Sequence, residues 1–369
     1  MKSNYKRLGD LINTVSVKNT DMITDDLRGV NYQKYFMPSV ANTIGVDLSG
    51  YKVIKNGQFA CNLMHVGRDK CLPVALHRDE KPIIVSPAYF SFEVKDESEI
   101  LSEFLFLWFK RAEFDREACF YTDADVRQGL MKSSLFDIKI PVPPIEEQRK
   151  IVAEYKAIER RIENNRRLIS TLEATAQTIY RKMFVDNIDP ENLPQGWRIG
   201  SVTDLSDLKV GGDKPKVVSE CLTKKCNIPI YSNGVVDEGL YGYTNNASIS
   251  LPSFTISARG TIGKCFLRLS PYYSIVRLIS VIPKNVDTLL YQFFYFSNHK
   301  IEGDGSVQNQ LTIPFLTSEK MVIPDFPTMT TFNSKVLPLY RSTENIHTEI
   351  ALLERVLLVL LSKLSNNHA

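Results

Sequence analysis

The chain repeats itself. The stretch from Val126 to Met183 returns without a gap about 181 positions later, and an internal repeat constrains a fold strongly because both copies must solve one packing problem. In the first copy Ile151, Tyr155, Ile158, Ile162, Asn165, Ile169, Leu172, Ala176, Ile179 and Met183 follow the four-three spacing of a coiled-coil seam. The second copy places Phe332, Val336, Leu339, Thr343, Ile346, Ile350, Leu353, Leu357, Leu360 and Leu364 at the same steps. Flanking positions recur too: Glu163-Asn164 as Glu344-Asn345, Leu172-Glu173 as Leu353-Glu354, and Val126 and Leu130 as Val307 and Leu311. Two apolar stripes of similar length can bury each other. Each is preceded by a segment too irregular to join the seam, so the chain reads globule, helix, globule, helix.

With 369 residues, 43% hydrophobic and 10% aromatic, the chain has material for two folded globules. No run approaches the roughly 18 apolar residues of a membrane span, and Met1 to Asp10 holds no signal-like apolar run. The cysteines Cys61, Cys71, Cys119, Cys221, Cys226 and Cys265 show no CxxC spacing, which predicts buried thiols in a reducing cytoplasm rather than a disulfide framework. Net charge is only +3, with 19 basic against 19 acidic residues over 1–142 and 13 against 12 over 187–324. A nucleic-acid binder with this balance must sort its charges onto one face.

Residues 1–142 mix β-rich runs (58–62 and 83–94) with one aromatic helix-like stretch, 100–114. Pro141-Val142-Pro143-Pro144 forces an extended backbone, and Glu146-Glu147 puts acidic charge on the first turn of a helix predicted over 145–184. At 1.5 Å per residue that helix is ~60 Å long. Asp189-Pro190, Pro194 and Gly196 mark a linker, after which Trp197-Arg198-Ile199-Gly200 restarts the pattern of Tyr5-Lys6-Arg7-Leu8-Gly9. The second globule is rich in turns (Ser232-Asn233-Gly234, Tyr241-Gly242-Tyr243, Ala258-Arg259-Gly260) and in β-branched runs (254–257 and 274–282), and Val322-Ile323-Pro324 copies Pro141-Val142-Pro143. The expected architecture is two mixed α/β (α+β) globules, 1–142 and 187–324, separated by two long helices, 143–186 and 325–369, whose seams pair as a coiled coil in an internal repeat. Pro338 falls in the second seam where Ala157 sits in the first, which predicts a kink or a restart.

Motifs of catalysis fall short. Gly260-Thr261-Ile262-Gly263-Lys264 has a shorter glycine spacing than a phosphate-binding loop, and Cys265 replaces the hydroxyl that would hold Mg²⁺, so it reads as a turn presenting Arg259 and Lys264. Val142-Pro143-Pro144-Ile145 lacks the polar residue before and the aromatic after that an amino-methyltransferase uses to hold a flipped base. Pro324-Asp325 lacks a downstream Glu-x-Lys, and His65, His77, His299, His347 and His368 do not cluster at ligand spacing.

What remains are polar and basic groups on turn-like segments: Arg68 and Lys70 within 65–70, Arg78, Arg127 and Gln128 in the first globule; Lys214, Lys216, Asn233, Arg259, Lys264, Gln308 and Asn309 in the second. Arg, Asn and Gln can pair two-pronged with base edges, and loop lysines suit phosphate. Singly, each is more often a solvated loop residue. Arg127 and Gln128, with their counterparts Gln308 and Asn309, either contact DNA or fix the loop ahead of each long helix. Asn165 reads as a register-setting polar residue. Leu352, Leu358 and Leu361 widen the second stripe, for contact with the chain's own globules or for a partner.

Pro143-Pro144-Ile145-Glu146-Glu147-Gln148-Arg149-Lys150-Ile151 resembles the junction in specificity subunits of type I restriction-modification enzymes. Val336-Leu337-Pro338-Leu339-Tyr340, followed by Glu349, Leu353 and Leu357 to Leu360, resembles their second long helix, which makes Pro338 a family feature. Val85-Ser86-Pro87-Ala88-Tyr89, Trp108-Phe109-Lys110-Arg111 and the run from Ile256 to Gly263 look like stretches of their target recognition domains. The second junction departs from the first: Met329 stands where Gln148 would be. The resemblance implies a non-catalytic, cytoplasmic subunit for antiviral defence, in which two target recognition domains (1–142 and 187–324) each read one half of a split, asymmetric double-stranded DNA target. The antiparallel helix pair, in a pseudo-two-fold repeat, would act as a ruler, so adding a helical turn should change the spacer and leave the half-sites alone. Two modification subunits carrying S-adenosylmethionine would dock on the helices and flip an adenine in each half-site, and ATP- and Mg-dependent restriction subunits would join them. This chain would hold no metal, S-adenosylmethionine or ATP itself. The rival readings are a coiled-coil protein-protein scaffold without DNA readout, and a nuclease or methylase acting alone.

Overall fold

The computed structural model describes residues 4–39, 45–64, 66–122, 128–186, 188–299 and 310–366. Two compact units emerge, Met1–Asn165 with Glu349–Ala369 and Arg166–Thr348. Both are mixed helix and sheet, and the division falls inside each long helix, Ile145–Phe184 and Phe326–Asn366.

In the first unit the main sheet is antiparallel, in the order Ile12–Thr14, Phe90–Val94, Phe59–Cys61, Val74–Leu76. Asn4–Arg7 pairs with Lys139–Val142 beside it. The aromatic stretch forms two helices, Ser102–Phe109 and Ala112–Phe120, rather than one. The break is at Arg111, which is extended (ψ 138°) and lays its guanidinium 3.9 Å over the Trp108 ring. Every residue from Phe104 to Phe109 is buried, as befits a helix apolar all round. Phe59 stacks on Phe92 at 4.7 Å, and Phe109 meets both edge-on.

The second unit repeats this order from its own segments: Ser206–Val210, Ile279–Pro283, Ser253–Ile256, Cys265–Arg268. Arg198–Gly200 pairs with Met321–Ile323, and the buried helix Leu289–Asn298 takes the place of Ser102–Phe109. A further sheet runs Leu240–Thr244, Ile228–Tyr231, Tyr273–Ser274. The sequence repeat is therefore a repeat of topology.

All ten seam positions of each long helix are buried or half-buried. In the first unit Ile151 and Tyr155 lie with Leu361 and Leu364, and Arg161 donates to Glu349 at 2.8 Å, an antiparallel register. In the second, Tyr180 and Phe184 pack on Phe332 with ring centroids 6.0 and 5.0 Å apart. The second helix does not restart at Pro338: proline leaves the Ser334 carbonyl without its helical donor, but both residues are exposed and water can serve it. The wider stripe divides. Leu361 joins the core of the first globule, while Leu352 and Leu358 stay exposed beside Val356 and Val359. No helix among the described residues is long and apolar enough to cross a membrane.

Candidate nucleic-acid interface

Strand register decides which loops share a surface. In the second unit Val210 pairs with Ile279, Ile279 with Ile256, and Ile256 with Cys265. The segments 211–216, 276–277, 257–260 and 263–264 therefore all leave the sheet at one end. Lys214, Lys216, Arg259, Lys264 and Arg277, all exposed, are brought there together with Asp213. The Lys214 ammonium lies 4.3 Å from the Tyr241 ring centroid and bonds its hydroxyl, which stiffens a side chain that is otherwise costly to order. Arg259 donates from Nε and Nη2 to Gln310 Oε1 at 3.4 and 3.1 Å. Lys264 sits 5.7 Å over Phe266.

Asn233 has a different part. Its Oδ1 accepts from the Ala258 N–H and its Nδ2 donates to the Val276 carbonyl, each at 2.7 Å, so both ends of the amide are engaged within the protein.

The matching end of the first unit's sheet carries the connection from Cys61 to Val74, the counterpart of 257–264. Arg68 and Lys70 stand on it, exposed, with Arg68 Nε 2.9 Å from Asp69 Oδ1. Lys70 and Gln128 both adopt left-handed backbone, φ +54° and +50°, and the Gln128 carbonyl accepts from the Gly67 N–H at 3.0 Å. A Cβ on Gly67 would lie 2.9 Å from Gln128 Cβ and from Thr122 Oγ1, so glycine is required for this approach. Underneath, Asp115 accepts from the buried Lys34 ammonium at 2.6 Å and from the Leu72 N–H at 2.9 Å, anchoring the loop. Burial holds the Lys34 amine below the usual lysine range, with Asp115 opposing it.

Arg78 is elsewhere. It follows Val74–Leu76 at the opposite end of the sheet, where it makes two hydrogen bonds to Glu103 at 2.9 and 2.7 Å and covers the Phe106 ring at 4.8 Å. Lys156 of the first long helix reaches the same carboxylate at 2.7 Å. Burial alone would raise the Glu103 carboxyl, but the two cations hold it below its ordinary value. The structure thus brings Arg68 near Lys70, and Lys214, Lys216, Arg259 and Lys264 to one sheet end, and leaves Arg78 apart from both groups. Arg127, Gln308, Asn309 and His65 lie outside the described residues.

Three polar groups of consequence carry little or no local signal. Arg277 lies inside the β-branched run 274–282, which carries no glycine to signal a turn. Asp115 carries no motif. Gln148 alone had a local hint, its place in the junction. Among the described residues no three His, Cys, Asp or Glu side chains gather at metal-binding distances.

Residues 2–174 and 194–355 match the type I restriction modification DNA specificity domain. Over 318 residues the chain is 22% identical to the type I restriction enzyme MjaIX specificity subunit of Methanocaldococcus jannaschii, covering 77% of this chain and 72% of that protein. Over 237 residues it is 28% identical to a Mycoplasma pneumoniae protein provisionally named a type I specificity subunit. That match covers 61% of this chain and 63% of the relative, less than two thirds of its length. In fold it resembles the crystal structure of the type I restriction-modification S subunit from M. genitalium, with a TM-score of 0.63 at 15% identity over 99% of this chain and 96% of that one.

Proposed function

This chain belongs to the family of type I restriction-modification DNA specificity proteins, and on that premise we propose that it is the non-catalytic, sequence-reading subunit of a cytoplasmic DNA methyltransferase and endonuclease complex. Each globule reads one half of a split double-stranded target. The observation that carries this reading is the gathering of Lys214, Lys216, Arg259, Lys264 and Arg277, with Asp213, at one end of the second unit's sheet in a globule that is neutral in bulk; the corresponding connection of the first unit carries Lys70 and Arg68, the latter paired with Asp69. Lysines there suit phosphates, and arginines suit base edges.

The long helices act as the ruler between half-sites, whose reading elements must face one side of the duplex about one turn, ~34 Å, apart. The exposed Leu352, Val356, Leu358 and Val359 offer modification subunits an apolar face. S-adenosylmethionine, ATP and Mg²⁺ belong to the modification and restriction subunits. The test is co-expression with a modification subunit, followed by base-resolution mapping of methylated adenines. One split motif around a fixed gap supports the reading. A stable complex whose methylation has no split motif sinks it.

A further inference from the structure

Val276 and Arg277 are consecutive residues with φ +53° and +61°, and the Leu278 N–H closes the turn on the Ile275 carbonyl at 3.1 Å. Two positive φ angles make this a primed turn, the kind that Asn-Gly adopts most readily because side-chain Cβ atoms crowd the carbonyl in left-handed backbone. Here a β-branched residue and an arginine occupy it.

The surroundings enforce the conformation. The Val276 and Arg277 N–H groups donate to the carbonyls of Gly212 and Gly211, both at 2.9 Å. A Cβ on Gly211 would come 2.6 Å from Ser274 Oγ and 2.8 Å from the Ile275 nitrogen, so that strand can lie this close only with glycine. Asn233 then grips the Val276 carbonyl with one end of its amide and the Ala258 N–H with the other, tying the turn to the residue before Arg259. The strain buries nothing, since Val276 is 44% exposed and Arg277 is exposed too. Its product is the display of an arginine and an apolar tip at the basic end of the sheet.

We propose that the Val276–Arg277 turn is a base-reading element of the second unit, with Arg277 forking onto a guanine edge, Val276 contacting a neighbouring thymine methyl, and Asn233 the positioning residue that sets the turn against Arg259. A guanidinium fork matches the two guanine acceptors, and an apolar side chain is the match for the thymine methyl. This rests on the DNA-reading assignment above.

The experiment uses the full chain with its modification subunit and maps methylated adenines at base resolution for wild type, Arg277→Lys, Asn233→Asp and the double replacement Val276→Asn, Arg277→Gly. Arg277→Lys keeps the charge and loses the fork. It should leave one half-site intact and relax a single position of the other, with discrimination there falling roughly 5- to 150-fold. Asn233→Asp keeps the acceptor for Ala258 but faces the Val276 carbonyl with a carboxylate oxygen, and should lower the melting midpoint modestly and relax the same position while the other half-site stays intact. The Asn-Gly variant should melt higher than wild type yet lose the same discrimination, which a merely structural turn would not do. An unchanged motif in Arg277→Lys or in the Asn-Gly variant overturns the inference while leaving the DNA-reading assignment standing. A wild-type complex without any split motif overturns both.

Discussion

Gln148, on the first turn of the first long helix, accepts the Leu101 N–H on its Oε1 at 2.9 Å. Its Nε2 donates to the carbonyls of Glu99 and Pro143, both at 2.8 Å, and the residue is fully buried. One amide thus ties together the segment entering the aromatic helix, the proline junction and the long helix. At the second junction Met329 is buried in the apolar core instead. The two copies seat a helix on a globule by different chemistry, polar latch in one and apolar plug in the other.

Gln148→Met, which copies the second junction into the first, should therefore destabilise rather than substitute. It leaves one N–H and two carbonyls unpaired, at a cost of about 3 kcal/mol. Urea unfolding of the variant would show it; a midpoint equal to wild type would mean water replaces the latch.

Glu103 predicts a pH effect. Its carboxyl is held below its ordinary value of 4.5 by Arg78 and Lys156 against the opposing effect of burial. A depressed folded-state value contributes stability that is present above the unfolded value and lost as pH falls through the folded one. Glu103→Gln should be less stable than wild type at neutral pH, and the gap should close as pH falls through the depressed folded-state value of Glu103. Melting midpoints across the acid range would decide, and a constant gap would contradict the assignment.

The Lys34 and Asp115 pair sits beneath the Arg68 and Lys70 loop. Asp115→Asn removes the counter-charge of the buried Lys34 ammonium, leaving it the neutral Phe109 carbonyl and an amide oxygen, and should cost about 3 kcal/mol at neutral pH. Because the folded-state value of Lys34 already lies below the usual lysine range, the variant should regain stability as pH rises and the amine loses its proton. Denaturant midpoints at neutral and alkaline pH would test the sign.

The second helix separates folding from docking. Leu361→Ala, in the core, should lower stability by about 2–3 kcal/mol, whereas Leu358→Ala, 67% exposed, should stay within ~0.5 kcal/mol. The paired changes Leu352→Glu and Leu358→Glu should leave melting unaffected and abolish co-purification of the modification subunit. Retained co-purification would place the docking face elsewhere.

Salt dependence distinguishes the loops. Each phosphate contact removed should shallow the slope of log affinity against log salt by roughly 0.9. Lys214→Ala with Lys216→Ala should do so, while Arg78→Ala, at the opposite end of its sheet, should leave the slope alone. Fluorescence anisotropy on a duplex target between low and moderate salt measures both, and a shallower slope in Arg78→Ala would put that residue on DNA.

The elements that the chain's own residues specify are those whose signals are local. Seam spacing, the proline junctions and the turn-like loops lie within a few residues of one another, because a helix brings i, i+3 and i+4 onto one stripe, and a proline restricts its own and its neighbour's backbone. The long helices and the repeat were legible on those grounds. Which loops face the same way is set by strand pairing in the folded chain. Arg78 and Arg68 are ten residues apart yet at opposite ends of a sheet, and Arg277 joins Arg259 because Ile279 pairs with Ile256. Asn233 looked like a base reader until its amide was found engaged at both ends. Strand order and register come from hydrogen bonds and side-chain packing between segments far apart in sequence, and a one-residue slip reverses every face, so no local pattern could have assigned these neighbours.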